Sequence, residues 1–281
     1  MIPPRVNAPL RLTKYSIKKM TTIKCIIMDW AGTSVDFGCF APLHVFLKIF
    51  EEKGLFITTR EAREPMGMLK IDHIRAILAM PRVERRFADV HGRRWAEEDV
   101  TSLYASFEKQ LFATLAEFTT PIPGVVETIE RLRARGIRIG STTGYTREMM
   151  DIVRPAAAAK GYTVDFLATP TGLPSGRPAP YMIFENMTAL EIPSVRQVVK
   201  VGDTLSDIRE GLNAGVHTVG VVTGSNELGL SEEEYDLLPP GELAGRKRAA
   251  RARMLAAGAH DVLDTLAELP TFIERLENQE N

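Results

Sequence analysis

The feature that most limits the fold is a set of short apolar runs, most of which stop at a polar or glycine turn. Residues 23–28 (IKCIIM) stop at Asp29, and residues 136–140 stop at Ser141-Thr142-Thr143-Gly144. Residues 164–168 form a third run. Residues 198–201 stop at Gly202-Asp203, and residues 218–222 stop at Thr223-Gly224. Runs this short and this apolar suit strands covered on both faces, as in a parallel sheet. Helical patterns over 124–135, 146–160, 180–190 and 206–214 separate the later runs. The alternation predicts right-handed βαβ units, and so an α/β fold with a Rossmann-like, open parallel sheet.

The rhythm breaks once, between the first and second runs. That interval holds amphipathic patterns at 42–53, within 60–80, and at 97–118, where Val100, Leu103, Phe107, Leu111 and Leu115 recur at helical spacing. The pattern predicts a helical cap domain over 38–116, inserted after the first strand. The α/β core is then 21–37 and 117–281, closed by helices at 242–257 and 262–277.

Residues 1–20 carry Arg5, Arg11, Lys14, Lys18 and Lys19 and no acid. They read as a basic extension outside the fold, or as the product of an upstream start with Met20 as a second start. A targeting peptide is the alternative, although a secretory signal needs an apolar centre that this segment lacks.

Composition removes several function classes. A hydrophobic share of 44% is that of a globular chain, and 281 residues can bury a sizeable core. Lys+Arg of 35 against Asp+Glu of 36 gives a net charge of −1, so no global field draws the chain to nucleic acid or an anionic membrane. No apolar run is long enough to span a bilayer. Cys25 and Cys39 are too few for a disulfide framework, which makes a reducing, cytoplasmic setting the expectation. Arg246, Lys247, Arg248, Arg251 and Arg253 cluster, but interleaved alanines and missing aromatics suit a solvated helix face better than a nucleic-acid patch.

The chemistry gathers at strand ends. Asp29, Thr143 and Asp203 each fall just past the carboxyl end of a predicted strand, the edge at which open α/β sheets bind ligands. Asp207 follows Asp203 by one helical turn. Acids converging there repel one another unless a cation sits among them, and hard oxygen ligands suit Mg²⁺. Asp203 is the expected direct ligand, with Asp207 behind it. Alone, Gly202-Asp203 is also what a turn with an N-capping Asp looks like; Asp29 on the first strand tips the balance to the metal.

Asp29-Trp30-Ala31-Gly32-Thr33, Ser141-Thr142-Thr143-Gly144, Gly176-Arg177-Pro178 and Gly202-Asp203-Thr204-Leu205-Ser206-Asp207 resemble, in order, the four signature motifs of the haloacid dehalogenase superfamily. Residues 29–42, 65–73 and 140–151 are more narrowly similar to its branch that cleaves the carbon–phosphorus bond of phosphonoacetaldehyde. The resemblance runs from residue 23 to the chain end. It implies an Asp29 nucleophile, Mg²⁺ held by Asp29, Asp203 and the main-chain carbonyl of Ala31 with Asp207 in support, and phosphoryl oxygens held by Thr143, Gly144 and Arg177. It implies Lys70 as an imine-forming lysine, His73 as a catalytic partner, and Met66, Cys39 and Tyr145 around the substrate. It also implies a small-molecule phosphonate substrate, from 2-aminoethylphosphonate breakdown, and a homodimer built through the cap. One departure is Ala179, where an aromatic is expected between two prolines.

Two of these positions have a physical reading of their own. Superfamily phosphatases place a second Asp two residues after the nucleophile, to protonate a leaving alcohol oxygen. Ala31 stands there and cannot move a proton. A C–P bond has no leaving oxygen; it needs a sink for the carbon's electron pair, which an iminium supplies. If residues 66–73 are helical, Met66, Lys70 and His73 share one face, and apolar neighbours lower the lysine's pKa. A lone lysine among apolar residues is otherwise most often a snorkelling surface side chain. The rival functions are a phosphomonoesterase or mutase of the same superfamily, which Ala31 and Lys70 oppose, and a non-catalytic nucleic-acid binder using Arg246 to Arg253.

Overall fold

The computed structural model describes residues 22–279; the basic extension of residues 1–20 lies outside them. Six parallel strands form one sheet in the order β3-β2-β1-β4-β5-β6. These are β1 (Cys25–Met28), β2 (Arg138–Thr142), β3 (Phe166–Ala168), β4 (Val198–Gly202), β5 (His217–Val221) and β6 (Asp261–Leu263). Every residue of β1 and β4 is buried, which is why both read as mostly apolar text, interrupted in β4 by Lys200. Full burial of each aliphatic side chain in β1 contributes about 2 kcal/mol.

The strand order reverses direction at β1. The chain goes from β1 to β2 on one side, and later returns to lay β4 on the other. Met28 pairs with Ser141 of β2 and with Val201 of β4. The register therefore sets Asp29, Thr142-Thr143 and Gly202-Asp203 side by side at a topological switch point.

The insertion after β1 holds five helices: α1 (Phe40–Glu52), α2 (Thr59–Arg63), α3 (Lys70–Leu78), α4 (Pro81–His91) and α5 (Glu97–Thr114), the last continued by a 3₁₀ turn over Leu115–Phe118. Within the insertion Phe46 of α1 stacks on Phe107 of α5 at 4.5 Å between centroids, in a buried apolar cluster that continues into the sheet. Val100, Leu103, Phe107 and Leu111 are the buried face of α5. The two chain crossings run beside each other: Ile122 N donates to Ser34 O at 3.0 Å, and Asp36 N to Thr120 O at 3.3 Å.

The core helices are α6 (Val125–Ala134), α7 (Arg147–Ala158), α8 (Tyr181–Ala189), α9 (Leu205–Ala214), α10 (Glu232–Leu237), α11 (Pro240–Ala256) and α12 (Leu269–Gln279). The structure corrects the expected closing helix over 262–277. Residues 261–263 pair in register with β5, and the helix starts only at Leu269. A three-residue edge strand has too little period to announce itself. Helix α4 was absent from the sequence expectation because it buries only Val83 and Phe87. On α11 the basic cluster is largely paired: Arg246 with Glu242, Arg251 and Lys247 with Asp264, and Arg253 with Glu227.

Candidate active site

Asp29 leaves β1 into a loop that the sequence stiffens. Ser34 Oγ donates to Asp29 O at 2.7 Å, and Tyr162 Oη donates to Ser34 Oγ at 2.9 Å. Trp30 packs edge-on against the Tyr162 ring at 4.9 Å. Gly32 has φ +86°, and a Cβ there would lie 2.2 Å from Asp203 Oδ2. Only glycine lets the loop and the Asp203 carboxylate come this close.

Asp29, Asp203 and Asp207 are all buried, and their carboxylate oxygens lie within 4.8 Å of one another. They differ in what neutralises them. Asp207 pairs with Lys200 at 2.8 Å and with Arg177 at 3.0 Å. Burial pushes its pKa up, but Arg177 and Lys200 hold it below the usual carboxylate range. Asp207 also closes a capping box on α9: its Oδ2 accepts from Thr204 N at 3.3 Å and from Thr204 Oγ1 at 2.6 Å. The N-cap of α9 is thus Thr204.

Asp203 makes no ion pair among the described residues. It accepts from Thr33 Oγ1 at 2.8 Å and from Asn226 N at 2.8 Å. Burial, then the charges of Asp29 and Asp207, push its carboxyl well above the ordinary range. A buried carboxylate pressed by two others, with no cation of its own, is the donor chemistry that a divalent ion relieves. The residues present therefore fit Mg²⁺.

Arg177 is the hub beside them. Its Nη2 donates to Asp29 Oδ1 at 2.8 Å and to Thr142 Oγ1 at 2.6 Å, and its Nε donates to Glu210 Oε2 at 2.9 Å. Burial lowers its pKa, but Asp207, Asp29 and Glu210 outweigh that and hold it well above the ordinary value. Lys200 completes the network, with Nζ 2.9 Å from Thr142 Oγ1 and 3.3 Å from Glu210. The sequence analysis singled out neither Lys200 nor Glu210. The available signal was a lysine in the middle of a buried apolar strand, which must find partners. No described residue hydrogen-bonds Asp29 Oδ2.

The insertion closes over this edge. A small cavity is lined by Asp29, Ala31, Thr143, Gly144, Tyr145, Arg177 and Thr204 from the core side. Cys39, Met66, Gly67 and Lys70 line it from the linker and the insertion. Gly67 and Gly144 form the seam. A Cβ on Gly67 would lie 2.4 Å from Thr204 Oγ1, and one on Gly144 would lie 2.6 Å from Met68 O.

Lys70 opens α3 rather than sitting inside a longer helix, so Met66 lies in the turn before it. That corrects the expected shared helix face, yet Met66 Sδ still lies 4.0 Å from Lys70 Nζ. The ammonium stands over the Tyr145 ring at 5.2 Å and the Phe46 ring at 5.9 Å. Lys70 is buried and makes no ion pair among the described residues, and burial lowers its pKa. Cys39 and Tyr145 are protonated, since burial pushes both well up. The Tyr145 hydroxyl has no hydrogen-bond partner among the described residues. His73 does not line the cavity. It stacks on Phe46 at 3.9 Å, and its Nε2 lies 2.9 Å from Ala62 O. Burial and then Lys70 hold it well below the ordinary histidine pKa, so its ring is neutral.

A haloacid dehalogenase-like hydrolase family model matches residues 23–215. The phosphonoacetaldehyde hydrolase of Parabacteroides distasonis is 63% identical over 262 residues, covering 93% of this chain and 99% of that protein. The chain belongs to the haloacid dehalogenase-like hydrolases, in their phosphonoacetaldehyde hydrolase branch. The Bacillus cereus phosphonoacetaldehyde hydrolase is 51% identical over 92% of this chain and 98% of its own length. A crystal structure of a phosphonoacetaldehyde hydrolase-like protein from Oleispira antarctica superposes with a TM-score of 0.90 at 36% identity, covering 100% of this chain and 98% of that one. A β-phosphoglucomutase from Clostridium difficile, at 17% identity and a TM-score of 0.66, shares the fold.

Proposed function

We propose that this enzyme hydrolyses the carbon–phosphorus bond of phosphonoacetaldehyde, giving acetaldehyde and phosphate in the breakdown of 2-aminoethylphosphonate. The observation that carries the reading is the pairing, across one small cavity, of a buried lysine without an ion pair on the insertion and a carboxylate on the core. The relatives' activity supports it.

Burial leaves Lys70 ready to act as a neutral amine. It attacks the aldehyde carbon and loses water to form an imine, which is protonated to an iminium. Asp29 Oδ2, the oxygen without a hydrogen bond, attacks phosphorus while Arg177 holds Oδ1. The C–P bond breaks, and its electron pair passes into the iminium to give an enamine. Protonation at carbon and hydrolysis of the resulting iminium release acetaldehyde and Lys70. A second water cleaves the aspartyl phosphate. Thr143, the Gly144 main chain and Arg177 hold the phosphoryl oxygens. Ala31 supplies no proton because the leaving carbon needs none from that side. Mg²⁺, held by Asp29, Asp203 and the Ala31 carbonyl with Asp207 behind, would supply positive charge against the phosphoryl group and the clustered acids. Neutral His73 packs behind Lys70 and keeps a second positive charge away from it.

We place a second copy of the chain against the groove between α1 and α5, where Ala41, Val45, Ala113 and Phe118 lie among Lys48, Lys109 and Glu117. Sedimentation as a monomer at micromolar concentration overturns that assembly. The reaction itself is tested by phosphate release from phosphonoacetaldehyde against a panel of phosphate esters. Release from the phosphonate alone is expected; faster release from any ester overturns the assignment.

A further inference from the structure

Arg63, the last residue of α2, takes no part in the proposed chemistry, yet it is buried within a groove between insertion and core. Its Nη1 donates to Gly38 O at 2.7 Å and to Asn226 Oδ1 at 3.0 Å. Gly38 belongs to the first crossing between core and insertion, and Asn226 to the core loop after β5. The return bond runs from Asn226 Nδ2 to Arg63 O at 3.2 Å. The guanidinium also lies over the Phe40 ring at 4.9 Å, at the start of α1. Its Nε and Nη2 have no hydrogen-bond partner among the described residues, so Nη1 makes all of the guanidinium's hydrogen bonds there.

The same Asn226 reaches the metal-binding edge. Its main-chain N–H donates to Asp203 Oδ2 at 2.8 Å. Among the described residues Asp203 is the acid without an ion pair, and its other oxygen accepts only from Thr33. The position of the insertion and the placement of the expected metal carboxylate thus meet in one asparagine: its side chain holds α2 and its backbone holds Asp203.

We propose that Arg63 is a positioning residue that couples seating of the insertion to divalent-cation binding through Asn226 and Asp203. The proposal rests on the metal reading given above. Seating the insertion fixes Asn226, and Asn226 fixes Asp203 in its ligand rotamer. Linkage makes the effect reciprocal: cation binding steadies Asp203, hence Asn226, hence α2. Unpaired nitrogens on Arg63 suit such a coupling, because the contact can open and reform without a large network breaking.

The test is made on resting protein without substrate. Mg²⁺ affinity is measured by calorimetry for the native chain, Arg63→Lys, Asn226→Ala and the double variant. Asn226→Ala keeps the main-chain N–H to Asp203 and removes only the side chain that holds Arg63. Each single variant is expected to bind Mg²⁺ about five- to tenfold more weakly, and the double no more weakly than the worse single, the signature of one shared contact. Hydrogen exchange over residues 59–64 should slow on Mg²⁺ addition in the native chain and be indifferent to Mg²⁺ in the variants. Native-like affinity in both single variants, or a full additive loss in the double, overturns the coupling alone. A native chain that binds no Mg²⁺ overturns the metal reading, and the coupling with it.

Discussion

Arg177 Nη2 lies 2.8 Å from Asp29 Oδ1, and both side chains are buried. The pair is not a closed salt bridge, since no described residue hydrogen-bonds Asp29 Oδ2 and Arg177 spreads its charge over Asp207 and Glu210 as well. Asp29→Asn removes the attacking oxygen and one charge of the cation site. Phosphate release should fall at least a thousandfold, while circular dichroism stays native. Chelation should silence the native enzyme, and Mg²⁺ should restore it. Full turnover in excess chelator contradicts the metal's role.

Lys70 bears the second prediction. Borohydride added with substrate should leave a secondary amine on Lys70, located by peptide mass. Lys70→Arg keeps the charge but forms no imine, and should lose C–P cleavage by orders of magnitude. Turnover within tenfold of native in that variant rules the imine out.

Ala31 is the position at which the proposed reaction dispenses with an acid. Ala31→Asp puts a carboxylate at the cavity wall beside Asp29. The added like charge should lower phosphonate cleavage tenfold or more and expose weak ester hydrolysis. If neither activity moves, position 31 does not discriminate between substrates.

The sheet was largely legible, because β1 and β4 are buried on both faces and their text, apolar but for Lys200, leaves little choice. Strand β6 and helix α4 were not: one is three residues long, the other buries two side chains. The motif acids and Lys70 could be picked out by position and residue type. Lys200, Glu210, Arg63 and Asn226 could not, because their meaning lies in contacts between distant segments. Arg63 and Asn226 are 163 residues apart. Sequence pattern reports what one element buries, and says little about which side chains two elements share.

Asp36 gives a pH prediction. Its carboxylate accepts from Phe40 N at 3.0 Å and Ala41 N at 3.1 Å, capping α1, while burial pushes its pKa from 3.8 up to about 7. Between those values the folded chain keeps a proton that the unfolded chain has lost. This group's stabilising contribution is therefore full below pH 4 and is lost as pH rises toward 7. From pH 5 to pH 8 native stability should fall, relative to Asp36→Asn, by about 2–3 kcal/mol. Urea midpoints at both pH values decide it; parallel profiles would mean that Asp36 is ionised throughout.

Closure of the insertion depends on the Gly67 seam. Lys70 stands on the insertion and Asp29 on the core, while in the proposed reaction the carbon and phosphorus they attack are adjacent atoms of one substrate. Near-attack geometry is lost with displacements of about 1 Å, at a cost near a hundredfold in rate. Gly67 sits at φ +86°, and a Cβ there meets Thr204 Oγ1 at 2.4 Å and Ser206 Cβ at 3.1 Å. Thr204 cannot step aside, because its hydroxyl donates to Asp207 and caps α9. Gly67→Ala should therefore lift the insertion from the core. Phosphate release should fall about a hundredfold, while borohydride still traps substrate on Lys70. Gly92 supplies the control, with a comparable φ of +67° and nothing within 4 Å of an added Cβ. Gly92→Ala carries the same backbone strain, about 1 kcal/mol, without a clash, so it should lower the melting temperature and leave turnover alone. Equal turnover in Gly67→Ala and Gly92→Ala would show that the seam does not need to close for the phosphorus to be reached.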